Sequence, residues 1–190
     1  VVVSFNYRLG AFGFFAHPAL DAESLHRTSG NYGHLDQIAA LQWVQHNIAR
    51  FGGDAALVTI AGQSSGSLDV CNLMTSPLAS GLFRQVILES GTCVDSVFPD
   101  LHEEEASGER LEKDLGVNAG PQALEQLRSV PADRILQTAA RDGDVDLEPN
   151  IDGWVLPEQP ALAFAHARQV LVPVMVGTNE DEVSIFASPL

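Results

Sequence analysis

A sharp turn between a strand and a helix constrains the fold of this chain more than any other feature. The β-branched run Leu57-Val58-Thr59-Ile60-Ala61 predicts a buried strand, and it leads directly into Gly62-Gln63-Ser64-Ser65-Gly66. A helical segment, Ser65–Met74, follows at once and stops before Pro77. A strand that passes directly into a helix begins a β–α–β unit, so this turn predicts a parallel sheet with helices on its faces.

Three other short apolar runs have the length and composition of buried strands: Val1–Phe5, Gln85–Glu89 and Pro173–Gly177. Apolar residues at helical spacing lie between them, most clearly in Leu35–Ile48. The chain is therefore predicted to be an α/β protein with a parallel sheet core. Because Val1–Phe5 predicts a central strand, which needs neighbours on both sides, we expect the 190 residues to be a piece of a longer chain.

The negative charge of the chain is concentrated in one segment. The formal net charge is −15, from 10 basic and 25 acidic residues, and Asp95–Asp152 alone holds 15 acidic and 5 basic ones. This segment has helical patches and no strand pattern, so it predicts an acidic helical insertion, acting either as a cap or as a solvated outer layer. Residues 1–94 would then form the core, 95–152 the insertion, and 153–190 the return to the core with an acid-bearing loop.

Composition excludes several classes of partner and site. The acidity argues against nucleic acid and against anionic membrane surfaces. No apolar run approaches the roughly 20 residues that a membrane-spanning helix needs. Two cysteines are too few for a disulfide-rich scaffold or a four-cysteine zinc site, and no metal site is predicted.

The turn itself has the G-x-S-x-G pattern of a nucleophile elbow. The spacing selects Ser64 as the nucleophile, because glycines stand two positions before and two positions after it. Side chains at Gly62 and Gly66 are expected to collide, so both glycines are predicted to be required. The backbone N–H of Ser65, at the N-terminus of the following helix, is placed to stabilise an oxyanion. The alternative is a glycine-rich turn with no chemistry.

Preceded by Phe51-Gly52-Gly53-Asp54, this strand and turn resemble the signature of type-B carboxylesterases, the cholinesterase and carboxylesterase branch of the α/β-hydrolases. In detail the chain is most similar to the bacterial para-nitrobenzyl esterases. The likeness covers nearly the whole chain and is weakest across the acidic insertion. It implies a partial α/β-hydrolase fold, with this chain as the central fragment of a larger domain. It also implies a small-molecule ester substrate, an acyl-enzyme mechanism and no cofactor. Segments that agree with the family in order are Asn6–Phe14, Gly30–Ile48, Ser76–Phe83, Ser90-Gly91, Asp152-Gly153 and Gly177–Glu182.

The resemblance also implies a Ser–Glu–His triad, with Glu182 as its acid. From the residues alone, any one of Glu180, Asp181 and Glu182 could face the site. The family places its histidine far downstream of the acid, where this sequence has none, and its glycine-rich oxyanion loop lies upstream of Val1. A serine without a base is a poor nucleophile near neutral pH. The 190 residues alone are therefore predicted to have no appreciable esterase activity.

The resemblance assigns supporting roles to four further residues. Arg8 and Asp36 form a structural ion pair, which is expected to be buried. Ser90 hydrogen-bonds the triad acid, the alternative being a simple turn serine. Gln63 stands where the family usually has glutamate, which predicts a preference for neutral esters.

The two cysteines, Cys71 and Cys93, are placed close enough for contact, one about two turns into the helix and one just past the next strand. They are equally compatible with a disulfide and with free buried thiols. Two other functions remain open: a non-catalytic binding or adhesion module, and a thioesterase or amidase on the same fold. The sequence leaves the ester, the compartment and the oligomeric state open.

Overall fold

The structure contains a sheet of three parallel strands. It is a computed structural model and describes residues 1–94, 96–118, 120–141 and 147–182. The chain consists of two compact units. The sheet unit comprises Val1–Val3, Ile38–Val97 and Gln159–Leu190, and the helical unit comprises Ser4–Gln37 and Phe98–Glu158. The elements run in the order α1 (Gly10–Phe14), α2 (Pro18–Glu23), α3 (Tyr32–Asn47), β1 (Thr59–Gln63), α4 (Ser65–Thr75), β2 (Gln85–Glu89), α5 (Leu101–Asp114), α6 (Ala123–Ser129), α7 (Ala132–Arg141), α8 (Pro160–Ala165) and β3 (Val174–Gly177).

The sheet is parallel, with the strand order β1-β2-β3. Helix α4 connects β1 to β2, as the strand–turn–helix pattern predicts, and it packs on both strands. Parallel strands end at the same edge of a sheet. Ser64, Ser90 and Thr178, each of which directly follows a strand, therefore meet at one edge. The predicted α/β fold with a parallel sheet is confirmed.

The predicted strands differ from the observed ones in specific ways. Strand β2 has the predicted bounds, whereas β1 begins at Thr59 because Ala55–Leu57 forms a turn of 3-10 helix. That turn is capped by Asp54, whose Oδ1 accepts a hydrogen bond of 2.8 Å from the N–H of Ala56. Because the Asp54 side chain caps this helical turn, Leu57 belongs to the turn and the strand begins after it.

The prediction of a buried strand at Val1–Phe5 is wrong for the structure as described. The segment forms no strand, and the side chain of Val2 is 96% exposed. The burial expected for the run before Gly177 is also wrong, since Met175 and Val176 in β3 are each 66% exposed. A β-branched composition favours extended backbone, but a strand and its burial both require neighbours, and no described segment pairs with residues 1–5.

The helical unit has its own apolar core. Phe14 from α1 packs with Leu111 and Leu115 of the α5 region and with Leu147. Helix α5 begins with a capping box, in which the carboxylates of Asp100 and Glu103 each accept a backbone N–H at 2.9 Å. The acidic segment is thus helical as predicted, over α5, α6 and α7. Its proposed limits, at residues 95 and 152, stay a prediction, and Asp95 lies outside the described residues.

Cys71 and Cys93 form a disulfide within the sheet unit, with their Cα atoms 5.1 Å apart. Cys71 is buried on α4, and Cys93 lies three residues beyond Ser90 at the end of β2. The sequence was equally compatible with a disulfide and with free buried thiols, and the structure contains the disulfide. The bond ties the segment that follows β2 to the helix that follows the elbow.

Loss of this disulfide is expected to lower the free energy of unfolding by about 3 kcal/mol, because the bond closes a loop of some two dozen residues in the unfolded chain. Urea unfolding of the oxidised chain, of the reduced chain and of the Cys71→Ala/Cys93→Ala variant measures the effect. The reduced chain retains both side chains and so isolates the bond itself. If the reductant destabilised the double variant as much as the wild-type chain, the assignment would be contradicted.

Candidate functional site

Ser64 occupies a strained turn at the carboxyl edge of the sheet. Its backbone angles are φ 54° and ψ −120°, in a region that residues with a side chain seldom adopt. Two hydrogen bonds hold it there: its N–H donates to the carbonyl of Glu89 at 2.9 Å, and its carbonyl accepts from the N–H of Ser67 at 2.9 Å. Ser64 is exposed, and it stands directly before the first residue of α4.

The two glycines of the elbow are not equivalent. A Cβ placed on Gly62 would lie 2.0 Å from the carbonyl oxygen of Gly66, so position 62 admits no side chain unless the turn moves. A Cβ placed on Gly66 would meet no heavy atom within 4 Å, the backbone of its own helix aside. The collision expected at both glycines is therefore present at Gly62 and absent at Gly66. The turn brings the carbonyl of Gly66 towards Gly62, whereas the outer side of the helix at Gly66 is open.

Ser65 and Gln63 flank the serine on its two sides. Ser65 is the first residue of α4, where backbone N–H groups lack partners within the helix and carry the positive end of its dipole. An oxyanion beside Ser64 would therefore meet an available donor. Gln63 ends β1 in register with Glu89 of β2, and its side chain is exposed.

Glu182 is held at the same edge by donors from two strand ends. Its Oε2 accepts from the hydroxyl of Thr178 at 3.1 Å and from the N–H of Asn179 at 2.7 Å. A hydrogen bond from the Ser90 side chain is the largest cause that lowers the pKa of Glu182 below its usual value, followed by the one from the Asn179 N–H. Each of these bonds favours the ionised carboxylate. The carboxylate is therefore charged near neutral pH and is oriented by its neighbours.

A cavity of about 610 Å³ joins these groups within the sheet unit. Leu68 and Val176 contribute apolar side chains to its wall, and Glu182 is the acidic residue of its loop that lines it. Glu180 and Asp181 do not line the cavity, so the structure separates the three acids that the residues alone left open. Gly91, Gly177 and six hydroxyl-bearing residues also line it, the six being Ser64, Ser65, Ser90, Thr92, Ser96 and Thr178.

No histidine lines this cavity in the part of the chain that the structure describes. The six histidines of the sequence have other surroundings. His17 is buried 3.3 Å from Glu112, and His26 stacks on Trp154 at a centroid distance of 3.7 Å. The others contact Phe14 (His34), the carbonyl of Gln42 (His46), Glu105 (His102) and Arg168 (His166). None of these six side chains is among the residues that line the cavity with Ser64 and Glu182.

Arg8 and Asp36 form the ion pair that the resemblance implies, with bidentate bonds of 2.8 and 2.7 Å. The Asp36 carboxylate also accepts the N–H of Arg8 at 3.0 Å. The side-chain hydrogen bond with Arg8 lowers the pKa of Asp36. The expectation of burial is wrong, however, because the Arg8 side chain is 51% exposed. Water screens an exposed pair, so its loss costs about 1 kcal/mol or less, well below the figure for a buried pair.

Two residues of the site, Gly91 and Thr178, make contacts that the sequence analysis did not predict. Gly91 packs against the elbow: a Cβ there would lie 2.7 Å from the Cβ of Ser67 and 2.9 Å from the carbonyl oxygen of Ser64. Thr178 bonds Glu182 through its hydroxyl. The pattern Asn179-x-x-Glu182 is half of a capping box and signals the local turn, but it signals nothing about Thr178. The contacts of Gly91 with Ser64 and Ser67 join residues that are distant in sequence, and they leave no local pattern either.

The described residues hold neither a candidate metal centre nor a candidate membrane span. Among them, no group of three or more histidine, cysteine, aspartate or glutamate side chains is arranged to hold a metal ion. Likewise, no helix in the described ranges has both the length and the apolar character needed to cross a bilayer.

A family model described as "Carboxylesterase family" matches residues 1–190. Fumonisin B1 esterase of Sphingopyxis macrogoltabida is 42% identical over 190 residues, which are 100% of this chain and 35% of that relative. Para-nitrobenzyl esterase of Bacillus subtilis (strain 168) is 36% identical over 197 residues, 100% of this chain and 38% of the relative.

Solved structures agree with these relatives. A carboxylesterase of Geobacillus stearothermophilus superposes with a TM-score of 0.82 at 36% identity, over 96% of this chain and 37% of that one. A PNB esterase superposes with a TM-score of 0.83 at 34% identity, over 97% and 39% respectively. The chain thus spans between a third and two fifths of the length of the relatives and structures it matches.

Proposed function

The chain belongs to the carboxylesterase family, and on that premise we propose that it carries the nucleophile and the acid of a serine carboxylic-ester hydrolase. One observation supports this above all. Ser64 stands in a strained elbow at the start of α4, and it shares a cavity with Glu182, whose carboxylate is oriented by three hydrogen bonds. A structural turn needs neither the strain nor the acid.

In the proposed mechanism, the Ser64 hydroxyl attacks the carbonyl carbon of an ester while an imidazole takes its proton. The developing oxyanion accepts a hydrogen bond from the N–H of Ser65 at the helix N-terminus. Collapse of the tetrahedral intermediate releases the alcohol, which takes up the proton, and leaves an acyl-Ser64 ester. Water then attacks this ester and releases the acid. Glu182 keeps the imidazole oriented and stabilises its charged form throughout.

The imidazole is proposed to come from outside these residues, since the described site has none. The isolated chain is therefore expected to give no acyl-enzyme burst with an activated ester such as p-nitrophenyl acetate. The same segment, within a longer polypeptide that supplies the histidine, is expected to release about one equivalent of p-nitrophenol in the burst. Stopped-flow absorbance measures both.

The outcome that would contradict this is a burst from the isolated chain that disappears in its Ser64→Ala variant. Such a burst would require a base among the residues present. Failure of the longer polypeptide to acylate would instead favour the binding or adhesion module. The shared acyl chemistry also allows a thioesterase or an amidase, which a panel of matched esters, thioesters and amides separates.

The substrate is proposed to be a small neutral ester. Gln63, next to the nucleophile, is uncharged, and Glu182 is the acidic residue among those that line the cavity around Ser64. Among the described residues that line this cavity, Glu182 is thus the source of negative charge, and the proposed mechanism already pairs it with the imidazole. A cationic substrate would therefore gain little electrostatic attraction.

A further inference from the structure

The carboxylate of Glu182 is bound by its own loop as well as by Ser90. Both loop donors, the Thr178 hydroxyl and the Asn179 N–H, reach the same oxygen, Oε2, at 3.1 and 2.7 Å. An oxygen with two donors has a fixed position, and the rotation of the carboxyl group is fixed with it.

The two loop donors have different explanations. Asn179 and Glu182 are three residues apart, and a glutamate that accepts the N–H three residues before it is half of a capping box. That contact needs no functional reason. The Thr178 hydroxyl lies one residue before this box and is not part of it. Its bond to Glu182 therefore gives Oε2 a second donor, which the capping box does not supply.

The backbone next to Thr178 is anchored to the sheet. Gly177, the last residue of β3, accepts the N–H of Ser90 at 2.8 Å, which extends the parallel ladder by one bond at the edge of the cavity. Ser90 has φ 53°, so it too stands in a conformation that its surroundings impose. Thr178 and Ser90 thus present their hydroxyls from two bonded strand ends to one carboxylate.

We propose that Thr178 is a positioning residue for Glu182: its hydroxyl fixes Oε2 against the end of β3 and so sets the direction in which the carboxylate meets the imidazole. This inference rests on the proposed function for the role of Glu182, but the bond itself is independent of it. Thr178 lines the same cavity as Ser64, but in this scheme its hydroxyl is engaged by Glu182 and acts on the reaction through that carboxylate.

The test is an NMR titration of the Glu182 carboxyl carbon in the 190-residue chain labelled with ¹³C-glutamate, with the signal identified by its absence in Glu182→Gln. Thr178→Val removes the hydroxyl and keeps the shape of the side chain, whereas Thr178→Ser keeps the hydroxyl. Loss of a donor to the ionised carboxylate raises its pKa. We therefore expect an upward shift of the titration midpoint in Thr178→Val, a wild-type midpoint in Thr178→Ser, and an upward shift in the positive control Ser90→Ala.

An unchanged midpoint in Thr178→Val, together with a shifted one in Ser90→Ala, would overturn the proposal. If Thr178→Val did not fold, Thr178→Ala would take its place, with the same two controls. In a longer polypeptide that supplies the proposed histidine, Thr178→Val is expected to lower kcat with KM unchanged, with rescue by Thr178→Ser. Because the titration does not require catalysis, failure of the proposed function would leave these midpoints as expected.

Discussion

Replacing Ser64 by alanine is expected to lower kcat for ester hydrolysis by about 10⁴-fold or more in a longer polypeptide that supplies the proposed histidine. In the proposed mechanism the substitution removes the atom that forms the acyl-enzyme, and members of a catalytic triad act as a unit, so the remaining groups would not compensate. The residual rate would come from the oxyanion donor and from substrate binding. The backbone of the elbow is expected to persist, because alanine adds no atoms to this turn.

Ser65→Ala is the matched control for this experiment. It removes a hydroxyl one residue away and keeps the backbone N–H that the mechanism uses, so kcat is expected to stay within a few-fold of wild type. Steady-state rates with a p-nitrophenyl ester, and intact mass after a serine-reactive phosphonate, measure the two variants. Full activity in Ser64→Ala, or loss of labelling in Ser65→Ala alone, would assign the nucleophile to another residue.

Replacing Gly62 by alanine is expected to lower the free energy of unfolding by about 3 kcal/mol, as overpacking against backbone does. The added Cβ would lie 2.0 Å from the Gly66 carbonyl oxygen and 2.8 Å from the Ser67 nitrogen, and neither atom belongs to a side chain that can rotate away. The elbow would have to open, so acylation of Ser64 is expected to fall with stability.

Gly66→Ala is the matched control, since it introduces the same methyl group two residues beyond Ser64. That methyl meets open space, and alanine in a helix is favoured over glycine by about 0.5–1 kcal/mol. Gly66→Ala is therefore expected to be neutral or slightly stabilised. Urea unfolding, followed by circular dichroism, compares the two variants. Equal destabilisation of the two variants would show that Gly62 and Gly66 are both sterically required, against this expectation.

These paired variants test the steric requirement at Gly62 and at Gly66 separately, whereas the elbow pattern does not distinguish the two glycines. G-x-S-x-G treats its glycines alike, and from the sequence both were expected to be sterically required. In the structure, the requirement follows from the path of the chain after the serine, which returns the Gly66 carbonyl towards Gly62. A pattern of residue types reports which positions tolerate a tight turn, and the actual path of the turn decides which of them is crowded.

Much of the fold was accessible because the informative signals are local. Strand β2, helix α4 and the three acidic-segment helices follow from apolar periodicity and turn residues, which act over a few neighbouring positions. The resemblance to type-B carboxylesterases, read from the elbow and the segments around it, is confirmed by the family match over residues 1–190. The parallel sheet follows in turn from the β–α–β connection, which leaves few alternatives.

The sequence by itself determined the elbow, the position of Ser64 within it, the parallel α/β class and the family. The resemblance had singled out Glu182 among the three acids of its loop, and the tertiary structure shows that Glu182 lines the cavity. Tertiary structure alone decided that Cys71 and Cys93 are bonded. It also decided that the Arg8–Asp36 pair is partly exposed and that Val1–Phe5 forms no strand in the described chain. The physical reason is the same in each case. Burial, hydrogen bonding across strands and side-chain contact depend on residues far apart in sequence, whereas turns and periodicity depend on neighbours along the chain.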